Sequence, residues 1–226
     1  MPKAIIIYGP PGSGKGTQAE LLTRKYSAVH FDTGRYIENL VHSPEARKNK
    51  ILSRERKLFD AGILCTPSWV LKITRDEAER IAKAKFHVVF SGSPRTMFEA
   101  FGDKKNEGLV HALGRVYGKR NIIVVKLDIP EKESAKRNGA RFICSVCGLP
   151  RLSSVSGNHC ALCAGILRKR VLDDPKVIPV RLREYRERTY PIIANMKKMG
   201  VSIKTIDGTP LPYKVHEKIV RAIKFS

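Results

Sequence analysis

Nine residues near the start of the chain, Gly9-Pro10-Pro11-Gly12-Ser13-Gly14-Lys15-Gly16-Thr17, have the types and spacing needed to hold a polyphosphate. Glycines let the backbone curl until several N–H groups aim at one anion, and a helix opening behind them adds the partial positive charge of its N-terminus. A lysine at the helix mouth reaches the outer phosphates of a nucleoside triphosphate. The flanks agree: the apolar, β-branched run Ala4-Ile5-Ile6-Ile7-Tyr8 reads as a buried strand, and Gln18-Ala19-Glu20-Leu21-Leu22 reads as helix. A plain Gly/Pro-rich turn, the bland alternative, requires neither the lysine nor this setting. Gly16 stands between Lys15 and Thr17, where the strict pattern puts the hydroxyl directly after lysine, and this variant points to small-molecule kinases.

A second constellation is metal-binding in type. Four of the five cysteines form Cys144-x-x-Cys147, twelve residues, then Cys160-x-x-Cys163, the spacing of a tetrahedral zinc site. Gly148 and Gly165 follow the two knuckles and supply the turns around the ion. Four protein ligands leave no open coordination position, so the expected role is structural. Disulfides are the alternative, and they suit an unsecreted chain poorly. Cys65 is left over and is expected to be a small buried side chain.

At 226 residues the chain suits one domain with insertions better than two equal domains. The N-terminal apolar run is too short for a signal peptide, and no stretch approaches membrane-spanning length, so a soluble, cytoplasmic protein is expected, as a monomer. Lys+Arg number 43 against 21 Asp+Glu, a formal charge of +22. That excess favours anionic partners: nucleotides first, with nucleic acid admitted by the charge but supported by no arginine-glycine or aromatic-interleaved tract.

These groups need a frame. Strand-like runs recur at Ala28 to Phe31, Phe86 to Ser91, Asn121 to Asp128 and Val201 to Ile206. Helical patterns lie between them, notably Trp69 to Lys85 and a long stretch from Val180 to Met199, where Leu182, Tyr185, Thr189, Ile192 and Met196 share one face. Alternating strands and helices predict an α/β fold, a five-stranded parallel sheet with helices on both faces. Two segments break the rhythm: a charged, helical-looking insertion over 38–67, and the cysteine-bearing stretch 139–175, which reads as a small metal-stapled flap.

Taken together, the motifs resemble the adenylate kinase family of nucleoside monophosphate kinases over essentially the whole chain. The resemblance rests on the Gly9–Thr17 loop, Asp32-Thr33-Gly34, Asp60-Ala61-Gly62, Gly92-Ser93-Pro94-Arg95-Thr96, Arg137-x-x-x-Arg141, and Arg170 with Asp173-Asp174. Arg181-Leu182, Tyr185, Thr189-x-Pro191 and Asp207-Gly208-Thr209-Pro210 complete it. It implies a core of 1–37, 68–138 and 176–226, a monophosphate-binding insertion at 38–67 and a zinc-binding lid at 139–175. It implies Mg²⁺-dependent transfer of the terminal phosphoryl of ATP to a nucleoside monophosphate, AMP first.

Lys15, Arg95, Arg141, Arg170 and Arg181 would then be catalytic, crowding positive charge around the phosphoryl group in flight. Gly12, Ser13, Gly14, Lys15, Gly16 and Thr17 would hold the ATP phosphates; Arg137 would stack on the donor base, and Gly208, Thr209 and Pro210 would meet it through backbone. Thr33, Gly34, Arg35, Cys65, Gly92, Arg95 and Glu99 would bind the acceptor.

Four positions depart from the family pattern, in three motifs. Ser91 stands where an acidic residue usually helps hold Mg²⁺ through water. Thr33-Gly34 is followed by Arg35 rather than Asp, and Glu38 occupies the place of an arginine for the acceptor phosphate. One exchange would restore the charges: Arg35 takes the phosphate contact and Asp32 serves the metal. Glu99 replaces a glutamine that reads adenine; a carboxylate only accepts hydrogen bonds, which suits the N1–H and N2–H₂ edge of guanine. GMP or another monophosphate as acceptor therefore stays open. So do a kinase for an unrelated metabolite and a degenerate nucleotide sensor with weak or no kinase activity.

Overall fold

The computed structural model describes residues 1–151 and 157–223; residues 152–156, inside the cysteine-bearing segment, and 224–226 lie outside the described residues. The first apolar run is β1 (Ala4–Tyr8), which leads through the glycine-rich loop into α1 (Lys15–Tyr26). After β2 (Val29–Phe31) come α2 (Thr33–Val41), a 3-10 turn and α3 (Lys50–Asp60), so the expected division at residue 38 falls inside a helix. The chain continues through α4 (Pro67–Lys83), β3 (Val88–Phe90), and two short helices, α5 (Met97–Phe101) and α6 (Leu109–Leu113). Next are β4 (Ile122–Asp128) and α7 (Glu131–Gly139). An antiparallel pair, β5 (Ile143–Cys144) and β6 (Leu167–Arg168), carries the cysteine knuckles. The remainder is α8 (Ile178–Glu184), α9 (Tyr190–Lys198), β7 (Ser202–Asp207) and α10 (Pro212–Ile223).

The main sheet has the order β2-β3-β1-β4-β7, with every pairing parallel. Strands covered on both faces must be apolar throughout, and β1 and β3 are wholly buried. Ile6, Tyr8, Phe90 and Val124 point to one face, against Leu71 and Ala78 of α4, Leu109 of α6 and Met196 of α9. Ile5, Ile7, Val89 and Val125 point to the other, against Leu22 of α1 and Ile219 of α10. The five-stranded parallel α/β fold expected from the sequence is the fold observed.

Two features of this frame place the site. β1 lies centrally, with β3 on one side and β4 on the other, so the loop leaving its C-terminal end opens into the crevice where the strand order reverses. The helix expected over 180–199 is interrupted by a π turn, Tyr185–Thr189, with the Tyr190 N–H bonded to the Tyr185 carbonyl. Pro191 has no N–H to offer the carbonyl four residues earlier, and the widened turn accommodates that loss. Within the turn, Thr189 Oγ1 donates to the Arg95 carbonyl at 3.0 Å, tying the helix to the end of β3. Among the described residues, no helix is long and apolar enough to cross a membrane.

Candidate active site

The glycine-rich loop is shaped by close packing. Gly12 has φ +77°, and a Cβ there would lie 2.6 Å from Asn138 Nδ2 and 2.9 Å from the Ser134 carbonyl of α7. Gly14, in left-handed conformation, caps α1, whose first turn holds Gly16 and Thr17 and no acidic residue. The N-terminus of α1 therefore presents its backbone donors to an anion without a competing carboxylate. Lys15 Nζ donates to the carbonyls of Gly9 at 2.8 Å and Pro10 at 2.9 Å. Loss of water around the ammonium pushes its pKa well below the usual 10.5, helped by the positive charges of Arg95, Arg181 and Arg141 and opposed by Asp32. Positive groups crowded this far from water are stabilised by any anion that enters among them.

Beside the loop lies an open cleft. Of the expected acceptor residues, Thr33, Gly34, Cys65, Gly92, Arg95 and Glu99 line it, together with Lys15 and Arg181. Its apolar end is made by Ile37, Phe59, Ile63, Leu64 and Val70. Cys65 is buried, as expected for the unpaired thiol, and burial, reinforced by Glu55, pushes its pKa up to about 12. Arg181 is pulled down to about 9, first by burial and then by Arg141, Arg95 and Arg170, so the four guanidinium groups feel one another.

Arg141, Arg170 and Arg181 each have a carboxylate partner. Arg141 donates Nε to Asp173 Oδ2 at 2.8 Å and Nη2 to Oδ1 at 2.5 Å; Arg181 Nη1 donates to the Leu172 carbonyl at 2.8 Å and to Asp173 Oδ1 at 3.3 Å. Asp173, almost wholly buried, thus aligns two of the arginines. Its only sequence signal is its place in an Asp-Asp pair. Arg170 Nη2 donates to Glu38 at 2.8 Å. Arg137 donates to the carbonyls of Gly208 at 2.9 Å and Thr209 at 2.7 Å, joining residues far apart in the chain; Pro210 continues that loop toward α10.

Three departures from the family pattern resolve into local structure. Ser91 is bonded to His30 Nε2 at 2.7 Å, and His30 Nδ1 to Glu20 Oε1 at 2.8 Å, so a carboxylate stands two hydrogen bonds behind the serine. Residue types alone gave no hint of this chain. Arg35 does not line the large cleft: its Nη1 donates to the Cys147 carbonyl at 3.4 Å, and it borders a smaller cavity with Asp32, Glu38, Arg168 and Arg170. Asp32 caps α2 by accepting the Arg35 N–H at 3.1 Å. Glu99 lines the cleft at 1% exposure, accepting from the Arg95 N–H at 2.8 Å and Thr96 Oγ1 at 3.1 Å. Burial pushes its pKa up to about 7 against these bonds.

The four cysteine sulfurs converge within 4.8 Å of one another. Cys144 and Cys163 sulfurs are 3.4 Å apart, and those of Cys147 and Cys160 3.7 Å. Tetrahedral zinc with Zn–S bonds of ~2.3 Å separates its sulfurs by roughly 3.8 Å, so the cluster fits that ion. Backbone N–H groups of Val146 and Cys147 point at Cys144 Sγ, and that of Leu162 at Cys160 Sγ, as suits thiolate ligands.

Residues 7–201 match the family model for adenylate kinase. The chain is 30% identical over 224 residues to an adenylate kinase of Kosmotoga olearia, covering 97% of this chain and 98% of that one. It is 31% identical over 196 residues to the adenylate kinase of Chlamydia pneumoniae, covering 87% and 86%. A third relative, the adenylate kinase of Methanothrix thermoacetophila, is 30% identical over 225 residues, at 97% of each chain. A parallel sheet with its glycine-rich loop at the switch point, matched along most of its length, makes this chain a member of the adenylate kinase family and, with it, a nucleoside monophosphate kinase.

Proposed function

We propose that the protein transfers the terminal phosphoryl group of ATP to AMP, reversibly, giving two ADP. The observation that carries this reading is the meeting of Lys15, Arg95 and Arg181 in one cleft, between the glycine-rich loop and an apolar pocket. Two polyanions joined end to end need positive charge where their phosphates touch and apolar walls where a base lies. ATP would lie with its phosphates on the N–H groups of Gly12 to Thr17 and its base between Arg137 and the Gly208–Pro210 loop. The monophosphate would occupy the cleft, its phosphate on Arg95 and its base toward Ile37, Cys65 and Glu99. The acceptor oxygen then faces the γ-phosphorus for direct in-line attack. Arg141, Arg170 and Arg181 stabilise the charge that spreads over the transferring oxygens.

Residues 139–175 act as a lid over the donor and 38–67 as a flap over the acceptor; their closure keeps water from the triphosphate. Mg²⁺, when bound with ATP, neutralises phosphate charge. Thr17 and Asp32 would help hold it, Asp32 being close enough to act on both Lys15 and Arg95. Zinc in the four cysteines would stiffen a lid that has little core of its own.

Glu99 favours a second reading of the acceptor. Ionised, it offers only acceptors and suits guanine; protonated, it can donate to N1 of adenine. A coupled diphosphate assay over AMP, GMP, CMP and UMP, with and without Mg²⁺, tests both readings. Turnover is expected with AMP and to a smaller extent GMP. ATP binding without turnover on any monophosphate would instead make the protein a nucleotide sensor.

A further inference from the structure

Glu38 and Arg35 lie one turn apart on α2, on the acceptor side, and both reach across to the cysteine-bearing segment. The Glu38 side chain is only 9% exposed; it accepts from Arg170 Nη2 at 2.8 Å and pairs with Arg168 at 3.7 Å. Arg35 donates to the Cys147 carbonyl in the first knuckle, and its guanidinium lies against Gly148, whose bare Cα (φ +71°) leaves no room for a side chain. Glu38 is absent from the lining of the acceptor cleft and present in that of the smaller cavity under the cysteines. Arg170 gives Glu38 one Nη, and its buried Nε has no partner among the described residues. The guanidinium is therefore oriented by Glu38 and retains donors for a second anion.

We propose that Glu38 is a positioning residue that acts through Arg170: a carboxylate on the acceptor flap holds the lid arginine in register over the transferring phosphoryl group. The two moving parts thereby close as one piece. Where the family pattern has an arginine, this chain has a carboxylate that fixes an arginine reaching the reaction centre from the lid. A largely buried pair of this kind is costly to break, because removing one partner leaves the other charge uncompensated. Arg35 and the knuckle carbonyl add a charge-assisted bond along the same seam. The inference rests on the proposed role of Arg170 in phosphoryl transfer.

The test compares Glu38→Gln, Glu38→Asp and the unaltered protein, zinc-loaded, by steady-state kinetics with MgATP and AMP and by amide hydrogen exchange without nucleotide. Glu38→Gln is expected to lower kcat about tenfold, in the range for one lost positioned partner. The KM for AMP should stay within about twofold, because Glu38 does not line the acceptor cleft. Glu38→Asp should recover most of the rate, since the charge remains. Exchange over α2 and the first knuckle should quicken in Glu38→Gln, and its melting temperature should fall, because Arg170 is left without its counter-charge. An unchanged or raised kcat in Glu38→Gln, a loss carried by the AMP KM, or a Glu38→Asp as slow as Glu38→Gln would each overturn the proposal. The exchange arm separates this failure from failure of the kinase reading. Were the unaltered protein inactive on every monophosphate, the kinase reading would fall, whereas unaltered exchange in Glu38→Gln would by itself remove the seam.

Discussion

The phosphate loop and the seam between α2 and the cysteine knuckles both handle anions, by opposite means. In the loop, binding groups are backbone N–H donors, fixed by glycine conformations and by the packing of Gly12 against α7. Few residue types satisfy such geometry, so the pattern is rigid and readable. At the seam the groups are long side chains on separate elements: Glu38 with Arg170 and Arg168, and Arg35 with a knuckle carbonyl. Charges there can change places between elements while the net arrangement holds. Backbone-made sites resist substitution and side-chain-made sites exchange partners, which is where this chain parts from its family pattern.

Substitution at the rigid end has the largest expected effect. Lys15→Met should lower turnover roughly 10³-fold, the scale for loss of one preorganised charge at the transferring group. Its melting temperature should not fall, because the ammonium it removes is held far from water among guanidinium groups. A loss of less than tenfold in the coupled assay would place the phosphates elsewhere.

Metal removal probes the flexible end. Zinc chelation should cut turnover about 100-fold through misplacement of the lid arginines. Calorimetry should show an early, local transition, with the main transition of the sheet preserved. A metal-free sample that melts and turns over unchanged would remove zinc from the account.

Alkaline titration comes next in size. Lys15 holds its proton less tightly than an unfolded lysine, so polyphosphate affinity should begin to fall below pH 10.5, about tenfold per unit once past the folded pKa. The sign for stability is opposite. Between that lowered pKa and 10.5 the unfolded chain binds more protons, so ligand-free stability should rise with pH. Lys15→Arg, which keeps its charge, should move the affinity loss to higher pH in calorimetric titrations.

The smallest effect is expected at Glu99. Glu99→Gln should shift the AMP-to-GMP preference about fivefold toward AMP, the worth of one hydrogen bond. With a folded pKa of about 7, above the ordinary 4.5, Glu99 contributes stability that is present at low pH and lost as pH rises through 7. The unaltered protein should lose AMP preference over the same interval, and the glutamine variant should not. An unmoved ratio would leave Glu99 only its role in capping α5.

Legibility follows the same division. All five strands of the main sheet lie where strand-like runs predict them; for β1 and β3 the reason is burial on both faces, which demands continuous apolarity, whereas the edge strand β7 is only partly buried. The cysteine cluster was equally readable from spacing. The π turn at Tyr185–Thr189 was not, since its cause, Pro191, lies inside an otherwise regular helical pattern that runs from Val180 to Met199. The expectation that Arg35 serves the acceptor rested on proximity in sequence, whereas its guanidinium meets a carbonyl 112 residues away. Ser91 looked like a lost carboxylate; Glu20, through His30, is supplied by another element. Pairings across elements leave no local pattern to read.

A bisubstrate analogue, two nucleosides joined through a chain of phosphates, addresses the central claim that one cationic cage receives both substrates. Calorimetric titration should give one molecule per chain, binding far more tightly than ATP or AMP alone, with Lys15→Met abolishing most of the gain. Binding no tighter than ATP, or a tight complex indifferent to Lys15, would contradict it.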